Sequence, residues 1–243
     1  MNSSHPPIRA ILFDLDGTLR HNRPRMNDIL AKLAIEYRAD DTRDNRSGAE
    51  RWLHYYWALS AEARFDFETF GNLTPAFWEN HTRRYLTAYG YTQERADQYA
   101  PEIYHRMSTE YDPQPWVPPD VLEVLRELKA AGFRLGVVSN RDHPLDDEMK
   151  EYGLDCYIDL NLAAGEVNSW KPDAGIFLEA VLRLQLHPEE VVYVGDNYYA
   201  DVIGARNAGL RPVLLDPDNI FPEVECDVIR ELSELINLTQ HSQ

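Results

Sequence analysis

Short apolar runs alternate with helix-like patterns along most of this sequence. The first run is residues 8–13, and a polar turn, Asp14-Leu15-Asp16-Gly17, follows it at once. An apolar run that ends in a turn is typical of a buried strand in a parallel sheet. The same pattern predicts strands at 133–138, 156–162, 191–194, 212–215 and 227–230, and helices at 119–131, 172–184 and 200–208. This alternation predicts an α/β fold, a doubly wound parallel sheet covered by helices.

The pattern changes between residues 20 and 116. This region has no strand-like apolar run, and its helical patterns are interrupted at places such as Thr74-Pro75 and Tyr89-Gly90. We therefore expect an all-helical domain of residues 20–116, inserted into a core domain of residues 1–19 and 117–243. Aromatic side chains are frequent in the insertion, because a small helical bundle needs large side chains to bury enough area.

Composition and charge exclude several classes of partner. The chain has 243 residues, of which 44% are hydrophobic, and no stretch approaches the roughly 20 apolar residues that cross a bilayer. The net charge of -17 opposes contact with nucleic acid or an anionic membrane, because both would repel the chain. Residues 1–9 lack the pattern of a secretory signal, and two cysteines make no disulfide framework. We therefore expect a cytoplasmic protein.

Four polar segments end predicted core strands or lie shortly after them. They are Asp14-Leu15-Asp16-Gly17-Thr18, Ser139-Asn140, Lys171-Pro172, and Gly195-Asp196 with Asp201 beyond. In open parallel sheets, ligands bind at the carboxyl ends of the strands. The four segments are therefore expected to converge on one site.

The aspartates in these segments indicate a metal site. Asp14 and Asp16 are two residues apart, and carboxylates held so close repel each other unless a cation or a shared proton intervenes. Asp196 follows another apolar strand, and Asp201 lies near the start of the next helix. Ligands that are all oxygen atoms favour Mg²⁺. Each aspartate has an alternative role as a helix cap or in a solvated turn, and the pattern alone leaves that open.

Ser139 and Lys171 are candidates for binding an anion. Ser139 closes a predicted strand, so its hydroxyl and the next backbone N–H groups are placed to donate to phosphoryl oxygens, with a helix cap as the alternative. Lys171 precedes Pro172 at a predicted helix start, where a positive charge opposes the helix dipole unless an anion lies between. The alternative is a lysine that faces the solvent. Because the chain is strongly negative, an anionic substrate would need such local positive charge.

Together the four segments resemble the motifs of the haloacid dehalogenase superfamily of phosphohydrolases. Residues 11–19, Ile-Leu-Phe-Asp-Leu-Asp-Gly-Thr-Leu, are similar to the first motif, and the other three segments are similar to the second, third and fourth, in order. The resemblance covers residues 8–20 and about 118–216. The insertion resembles the helical cap of the first subfamily. The resemblance implies a Rossmann-like core with an inserted cap.

The resemblance also implies a role for each motif residue. Asp14 would be the nucleophile and Asp16 the general acid and base. Phosphate would be bound by Thr18, Ser139, Asn140 and Lys171. Mg²⁺ would be held by Asp14, the backbone carbonyl of Asp16, and Asp196, with Asp201 in support. The implied reaction removes phosphate from a small phosphorylated metabolite through an aspartyl-phosphate, and Asp16 argues against the family's dehalogenases, which do not keep this aspartate.

Other functions share the same core residues. A sugar phosphomutase would differ only in shielding the aspartyl-phosphate from water, and inorganic pyrophosphate is a further possible substrate. A non-catalytic binding or regulatory protein is a third alternative, against which the complete motif set argues. The insertion carries no motif that identifies a substrate, so the sequence leaves the substrate and the oligomeric state open.

Overall fold

The structure is a computed structural model that describes residues 6–240. The chain divides into two compact units. The core unit comprises the described residues up to His21 and those from Val117 onward, and the cap unit is Asn22–Trp116. Among residues 6–240, no helix combines the length and the apolar character needed to cross a membrane.

The order of helices and strands follows the alternation seen in the sequence. In chain order the elements are β1 (Ala10–Phe13), β2 (His21–Arg23), α1 (Met26–Glu36), α2 (Arg43–Trp57), α3 (Ala61–Phe70), α4 (Pro75–Ala88), α5 (Gln93–Glu110), β3 (Gln114–Trp116), α6 (Pro119–Ala130), β4 (Arg134–Ser139), α7 (Asp146–Glu151), β5 (Leu160–Ala163), α8 (Ala164–Val167), α9 (Ala174–Arg183), β6 (Val191–Gly195), α10 (Ile203–Asn207), β7 (Arg211–Leu215), β8 (Asp227–Ile229) and α11 (Glu234–Gln240). A short π-helix, Tyr198–Val202, directly precedes α10.

The core unit is built on a six-stranded sheet with the order β5-β4-β1-β6-β7-β8. All neighbouring strands are parallel, and Phe13 at the end of β1 lies opposite Val137 on one side and Val194 on the other. Along β1, Ile11 and Phe13 belong to one hydrophobic cluster, whereas Ala10 and Leu12 belong to another. Both faces of the sheet are therefore covered, which confirms the doubly wound α/β fold.

Helix α6 shows how local sequence sets these elements. Pro119 stands at the start, where its missing N–H costs nothing. One face, with Val121, Val124, Leu125 and Leu128, is buried against the sheet. Gly132 follows with a φ of +92°, a conformation that glycine adopts without a steric penalty. The predicted helix and its glycine stop are confirmed.

The predicted starts of the strand at 156–162 and of the helix at 172–184 are wrong. The strand expected at 156–162 begins only at Leu160, because the chain turns at Tyr157, whose N–H donates to the carbonyl of Leu154. The apolar side chains of this turn pack on the core without joining the sheet. The helix expected from residue 172 begins at Ala174, because Asp173 is its N-cap and accepts from the N–H of Gly175 at 2.6 Å.

The cap unit consists mainly of helices α1 to α5. Four of these helices begin at a hydroxyl residue whose side chain accepts a hydrogen bond from the first turn, which is a stabilising N-cap; the residues are Thr42, Ser60, Thr74 and Thr92. Helices therefore make up most of residues 22–116. In addition, β2 and β3 pair in a two-stranded sheet, which the all-helical prediction did not include.

Candidate active site

Asp14 lies at the carboxyl end of β1, in the middle of the sheet. Its N–H donates to the carbonyl of Val194 at 2.9 Å and so extends the pairing of β1 with β6. The chain then turns sharply, with the N–H of Gly17 donating to the carbonyl of Arg20 at 2.7 Å. Asp14 is only 7% exposed, so its carboxylate is held in a buried position where ligands of parallel sheets bind.

Lys171 is the buried cation of this site, with 3% exposure. Its Nζ donates to Oδ1 of Asp14 at 2.5 Å and to Oδ1 of Asp201 at 2.7 Å. It also donates to the hydroxyl of Tyr193 at 3.0 Å, and that hydroxyl lies 3.0 Å from the carbonyl of Val138, to which it donates. Lys171 is therefore saturated with hydrogen-bond acceptors.

Asn140 holds the backbone of Lys171 through a reciprocal pair of hydrogen bonds. The N–H of Lys171 donates to Oδ1 of Asn140 at 2.7 Å, and Nδ2 of Asn140 donates to the carbonyl of Lys171 at 3.0 Å. This contact ties the end of β4 to the segment that carries the lysine. The predicted placement of Lys171 at a helix start is wrong, because α9 begins three residues later and Asp173 caps it.

Three carboxylates lie close enough to hold a metal ion. Asp14, Asp196 and Asp201 each offer an oxygen atom, and these atoms lie within 4.8 Å of one another. Burial, opposed by Lys171, raises the pKa of Asp14 to about 7. Burial and the nearby charge of Asp14 raise the pKa of Asp196 well above its usual value. A cation would relieve this repulsion, and an all-oxygen donor set fits Mg²⁺.

Asp201 has partners on both oxygens. Oδ1 accepts from Lys171, and Oδ2 accepts from the N–H of Asn197 at 2.9 Å. Asn197 in turn caps the π-helix, because its Oδ1 accepts from two N–H groups of the first turn at 3.0 Å. The helix cap of this segment is thus Asn197, which leaves the side chain of Asp196 available to the site.

Gly17 and Gly195 let the carboxylates approach the backbone. A Cβ at Gly17 would lie 2.4 Å from Oδ2 of Asp196, and a Cβ at Gly195 would lie 2.3 Å from Cγ of Asp201. Real Cβ atoms do not come so close to other atoms, so any side chain at these positions would displace an aspartate. Gly17 also has a φ of +93°, which L-residues with a side chain rarely adopt.

Gly17→Ala should therefore lower both stability and activity. The positive φ costs about 1–2 kcal/mol for alanine, and a shift of the Asp196 carboxylate by about 1 Å should cost on the order of a hundredfold in kcat. Gly132→Ala is the matched control, since its φ is +92° but nothing lies within 4 Å of the added Cβ. Urea unfolding should show a loss of stability in both variants, larger in Gly17→Ala because its added Cβ also meets Asp196, and phosphate release should fall only in Gly17→Ala. Equal activity of the two variants would contradict this role of Gly17.

Thr18 and Ser139 are the hydroxyl residues of the first and second motifs, and both are 2% exposed. The hydroxyl of Thr18 donates to Oδ1 of Asp196 at 3.5 Å. Ser139 is the last residue of β4 and lies opposite Ala163 of β5. The motif residues thus occupy neighbouring strand ends, β1 and β4 among them.

Asp16 forms ion pairs with Arg141 and Arg20. Nε and Nη2 of Arg141 donate to its two carboxylate oxygens at 2.8 and 3.0 Å, and Nη1 of Arg20 donates at 2.7 Å. Asp16 is therefore held by two guanidinium groups, whereas Asp14 is held by Lys171. A bidentate contact between an arginine and a carboxylate, such as that of Arg141 with Asp16, fixes the orientation of the carboxylate.

A family model describes most of the chain. Residues 8–209 match the model of the haloacid dehalogenase-like hydrolases, and this range contains all four motifs of the site. The chain belongs to this hydrolase family. Its doubly wound core agrees with the structure of a HAD phosphatase from Thermococcus onnurineus, which is 26% identical and has a TM-score of 0.54 over 95% of this chain and 97% of that one.

Two curated relatives of the hydrolase are similar over most of their lengths. The glyceraldehyde 3-phosphate phosphatase of Methanopyrus kandleri is 29% identical over 94% of this chain and 97% of its own. The ribulose-1,5-bisphosphate 5-phosphatase of Halopiger xanaduensis is 30% identical over 86% of this chain and 84% of its own. The family assignment therefore extends over both units of the hydrolase.

Sequence reasoning missed three residues of this hydrolase whose side chains touch the motif side chains, namely Tyr193, Arg141 and Arg20. Tyr193 lies in the apolar run of β6. A buried tyrosine hydroxyl needs a hydrogen-bond partner, and this requirement is the feature of the sequence that could have indicated a contact with a polar residue. Arg141 follows Ser139-Asn140 directly in the sequence. Nothing in the pattern distinguished it from a surface arginine, because its partner Asp16 is distant along the chain.

Proposed function

We propose that this protein is a Mg²⁺-dependent phosphatase that hydrolyses a small phosphomonoester through an aspartyl-phosphate at Asp14. The observation that carries the proposal is the buried Asp14 in contact with Lys171, beside two further carboxylates at the carboxyl edge of the sheet. Membership of a hydrolase family and the phosphatase names of two relatives support it.

Asp14 is the proposed nucleophile. A carboxylate attacks a phosphate ester only when it is ionised and when the negative charge of the ester is offset. Mg²⁺ bound by Asp14, the backbone carbonyl of Asp16, and Asp196 would supply much of that charge compensation. Lys171 contributes a second positive charge, and Asp201 keeps it in place through the bond at 2.7 Å. Thr18, Ser139 and Asn140 are the proposed neutral contacts of the phosphate.

Asp16 is the proposed general acid and base. It would give a proton to the leaving alcohol and then accept one from the water that cleaves the aspartyl-phosphate. Both of its oxygens accept hydrogen bonds from Arg141. Arg141 and Arg20 together donate three hydrogen bonds to Asp16, fewer than the roughly four that a carboxylate can accept. A place for the transferred proton therefore remains while the two arginines orient the carboxylate.

The substrate class that we propose is a small phosphorylated carbohydrate, as the names of the two relatives suggest. Such a substrate brings the negative charge for which the site offers Lys171. We also propose a reducing cytoplasmic location, since Cys156 and Cys226 are both free thiols.

Phosphate release from p-nitrophenyl phosphate and from a panel of triose, pentose and hexose phosphates tests the proposal. We expect release with added Mg²⁺, loss of release with EDTA, and the highest kcat/KM among the sugar phosphates. A folded protein that releases no phosphate from any compound with Mg²⁺ would contradict the proposed function.

A further inference from the structure

Tyr193 is a buried polar residue of the core unit to which the proposed reaction assigns no role. Its side chain has no exposed surface. Its hydroxyl oxygen lies 3.0 Å from Nζ of Lys171, 3.0 Å from the carbonyl oxygen of Val138 and 3.3 Å from Oδ1 of Asp201. The hydroxyl has one proton, which goes to the nearer of the two acceptors, the Val138 carbonyl. The oxygen is therefore left to accept a hydrogen bond from Lys171.

The ammonium group of Lys171 has three N–H donors, and each of them has one acceptor. The acceptors are the carboxylates of Asp14 and Asp201 and the hydroxyl of Tyr193. Tyr193 and Asp201 are 0% and 1% exposed, whereas Asp14 is 7% exposed at the edge of the sheet. An ammonium group held by one acceptor can rotate about its Cε–Nζ bond, but one held by two acceptors keeps its third N–H in a single direction. The two deeper acceptors therefore direct the third N–H toward Asp14.

Tyr193 holds the ammonium group without adding negative charge. Lys171 already forms an ion pair with Asp201 at 2.7 Å. A further carboxylate in the place of Tyr193 would be repelled by Asp201 and Asp14. Because a hydroxyl is a neutral acceptor, it anchors Lys171 and leaves the positive charge available to a phosphoryl group.

The ring of Tyr193 is fixed by its packing. It contacts Phe177 of α9 edge to face, with the ring centroids 4.8 Å apart and the planes at 75°, an arrangement that aromatic pairs prefer. Phe177 in turn lies so close to Gly204 of α10 that an added Cβ there would be 2.6 Å from its Cε2 atom. Both rings are fully buried in the same hydrophobic cluster. The hydroxyl is therefore presented to Lys171 from a rigid position.

We propose that Tyr193 is a positioning residue that fixes the direction in which Lys171 presents its third N–H to the phosphoryl group. This role rests on the proposed function, in which Asp14 receives that group. Because the third N–H already points to Asp14, it needs no reorientation when the substrate binds. Such preorganisation of a donor lowers the barrier to the reaction.

Tyr193→Phe tests this role, because it removes the hydroxyl and keeps the ring in its apolar surrounding. Thermal unfolding checks that the variant folds. Tyr91→Phe is the matched control in the cap unit, since Tyr91 is 5% exposed and its hydroxyl also donates to a backbone carbonyl, that of Ala34, at 2.7 Å. Phe177→Leu is a second variant, which keeps the hydroxyl and loosens the ring that carries it.

NMR of the full chain labelled with 15N-lysine measures the rotation of the ammonium group. The chain has only four lysines. The side chains of the other three are about one third exposed or more, so that their ammonium protons exchange readily with water; they are Lys32, Lys129 and Lys150. The signal of the buried Lys171 therefore stands apart, and its relaxation reports rotation about the Cε–Nζ bond.

In Tyr193→Phe we expect this rotation to be at least about tenfold faster, the value of one hydrogen bond to a charged group. Phe177→Leu should accelerate it by about threefold, since an aromatic pair contributes less, and Tyr91→Phe should leave it unchanged. In assays of phosphate release from p-nitrophenyl phosphate with Mg²⁺, kcat should fall about tenfold in Tyr193→Phe with little change in KM, because the lost interaction acts in the transition state. Tyr91→Phe should keep the wild-type kcat.

Two results would overturn the role of Tyr193, namely a wild-type kcat in folded Tyr193→Phe, or ammonium rotation at the wild-type rate. If Tyr193→Phe does not fold, Phe177→Leu decides by the same two measurements, and unchanged rotation and kcat in it overturn the role. A wild type that itself releases no phosphate would overturn the proposed function and this role with it. An active wild type beside an unaffected Tyr193→Phe would overturn the role of Tyr193 alone.

Discussion

Asp14→Asn should reduce kcat for phosphate release by at least about a thousandfold, because an amide cannot act as the nucleophile. Stability should change little without added Mg²⁺. The pKa of Asp14, raised to about 7, means that the folded chain favours the neutral carboxyl group, which asparagine resembles. A phosphate-release assay measures kcat, and thermal unfolding of the same preparation measures stability.

The control for this variant is Asp147→Asn on α7. Its side chain is fully exposed, with a single long contact to Lys150 at 3.4 Å, so kcat should stay at the wild-type value. An Asp14→Asn enzyme that keeps more than about a tenth of wild-type kcat would contradict the role of Asp14 as nucleophile.

Lys171→Met should lower both activity and stability. The change leaves the carboxylate of Asp201 buried without its cation, and breaking a buried ion pair from one side costs about 3–5 kcal/mol. Loss of the positive charge beside the phosphoryl group should lower kcat by at least about a hundredfold. Urea unfolding gives the first quantity, and phosphate release below the unfolding transition gives the second.

Lys129→Met is the matched control for Lys171→Met. Lys129 also forms an ion pair, with Asp159 at 2.7 Å, but both side chains are about one third exposed. Exposed pairs contribute about 0–1 kcal/mol, so this variant should remain active and nearly as stable as the wild type. If Lys171→Met behaved like Lys129→Met, the buried lysine would have neither role.

The sequence predicted the sheet and the convergence of its motifs for a physical reason. Parallel strands covered on both sides must be apolar throughout, so runs such as the one before Asp14 are visible without any tertiary information. Ligand-binding loops follow such strands at their carboxyl ends. That rule predicts that Asp14, Ser139 and Asp196 converge at the carboxyl edge of the sheet, and in the structure they lie at the ends of the neighbouring strands β1, β4 and β6.

Contacts between distant segments could not be predicted in the same way. Arg141 reaches Asp16 across 125 positions of the chain, and no local pattern carries that information. The turn around Tyr157 looked like a strand because packing against the core requires the same apolar side chains as a sheet does. The apolar pattern after Lys171 predicts a helix from residue 172, whereas Asp173 caps α9, which begins at Ala174.

The most direct test of the central claim is to look for the phosphoryl group on Asp14 itself. Wild-type enzyme would be mixed with its best substrate and Mg²⁺, quenched in acid within the first turnover, digested and analysed by mass spectrometry. The account predicts a phosphorylated peptide whose modification maps to Asp14 and which is absent from Asp14→Asn. Rapid phosphate release with no phosphorylated Asp14 at any quench time would contradict it.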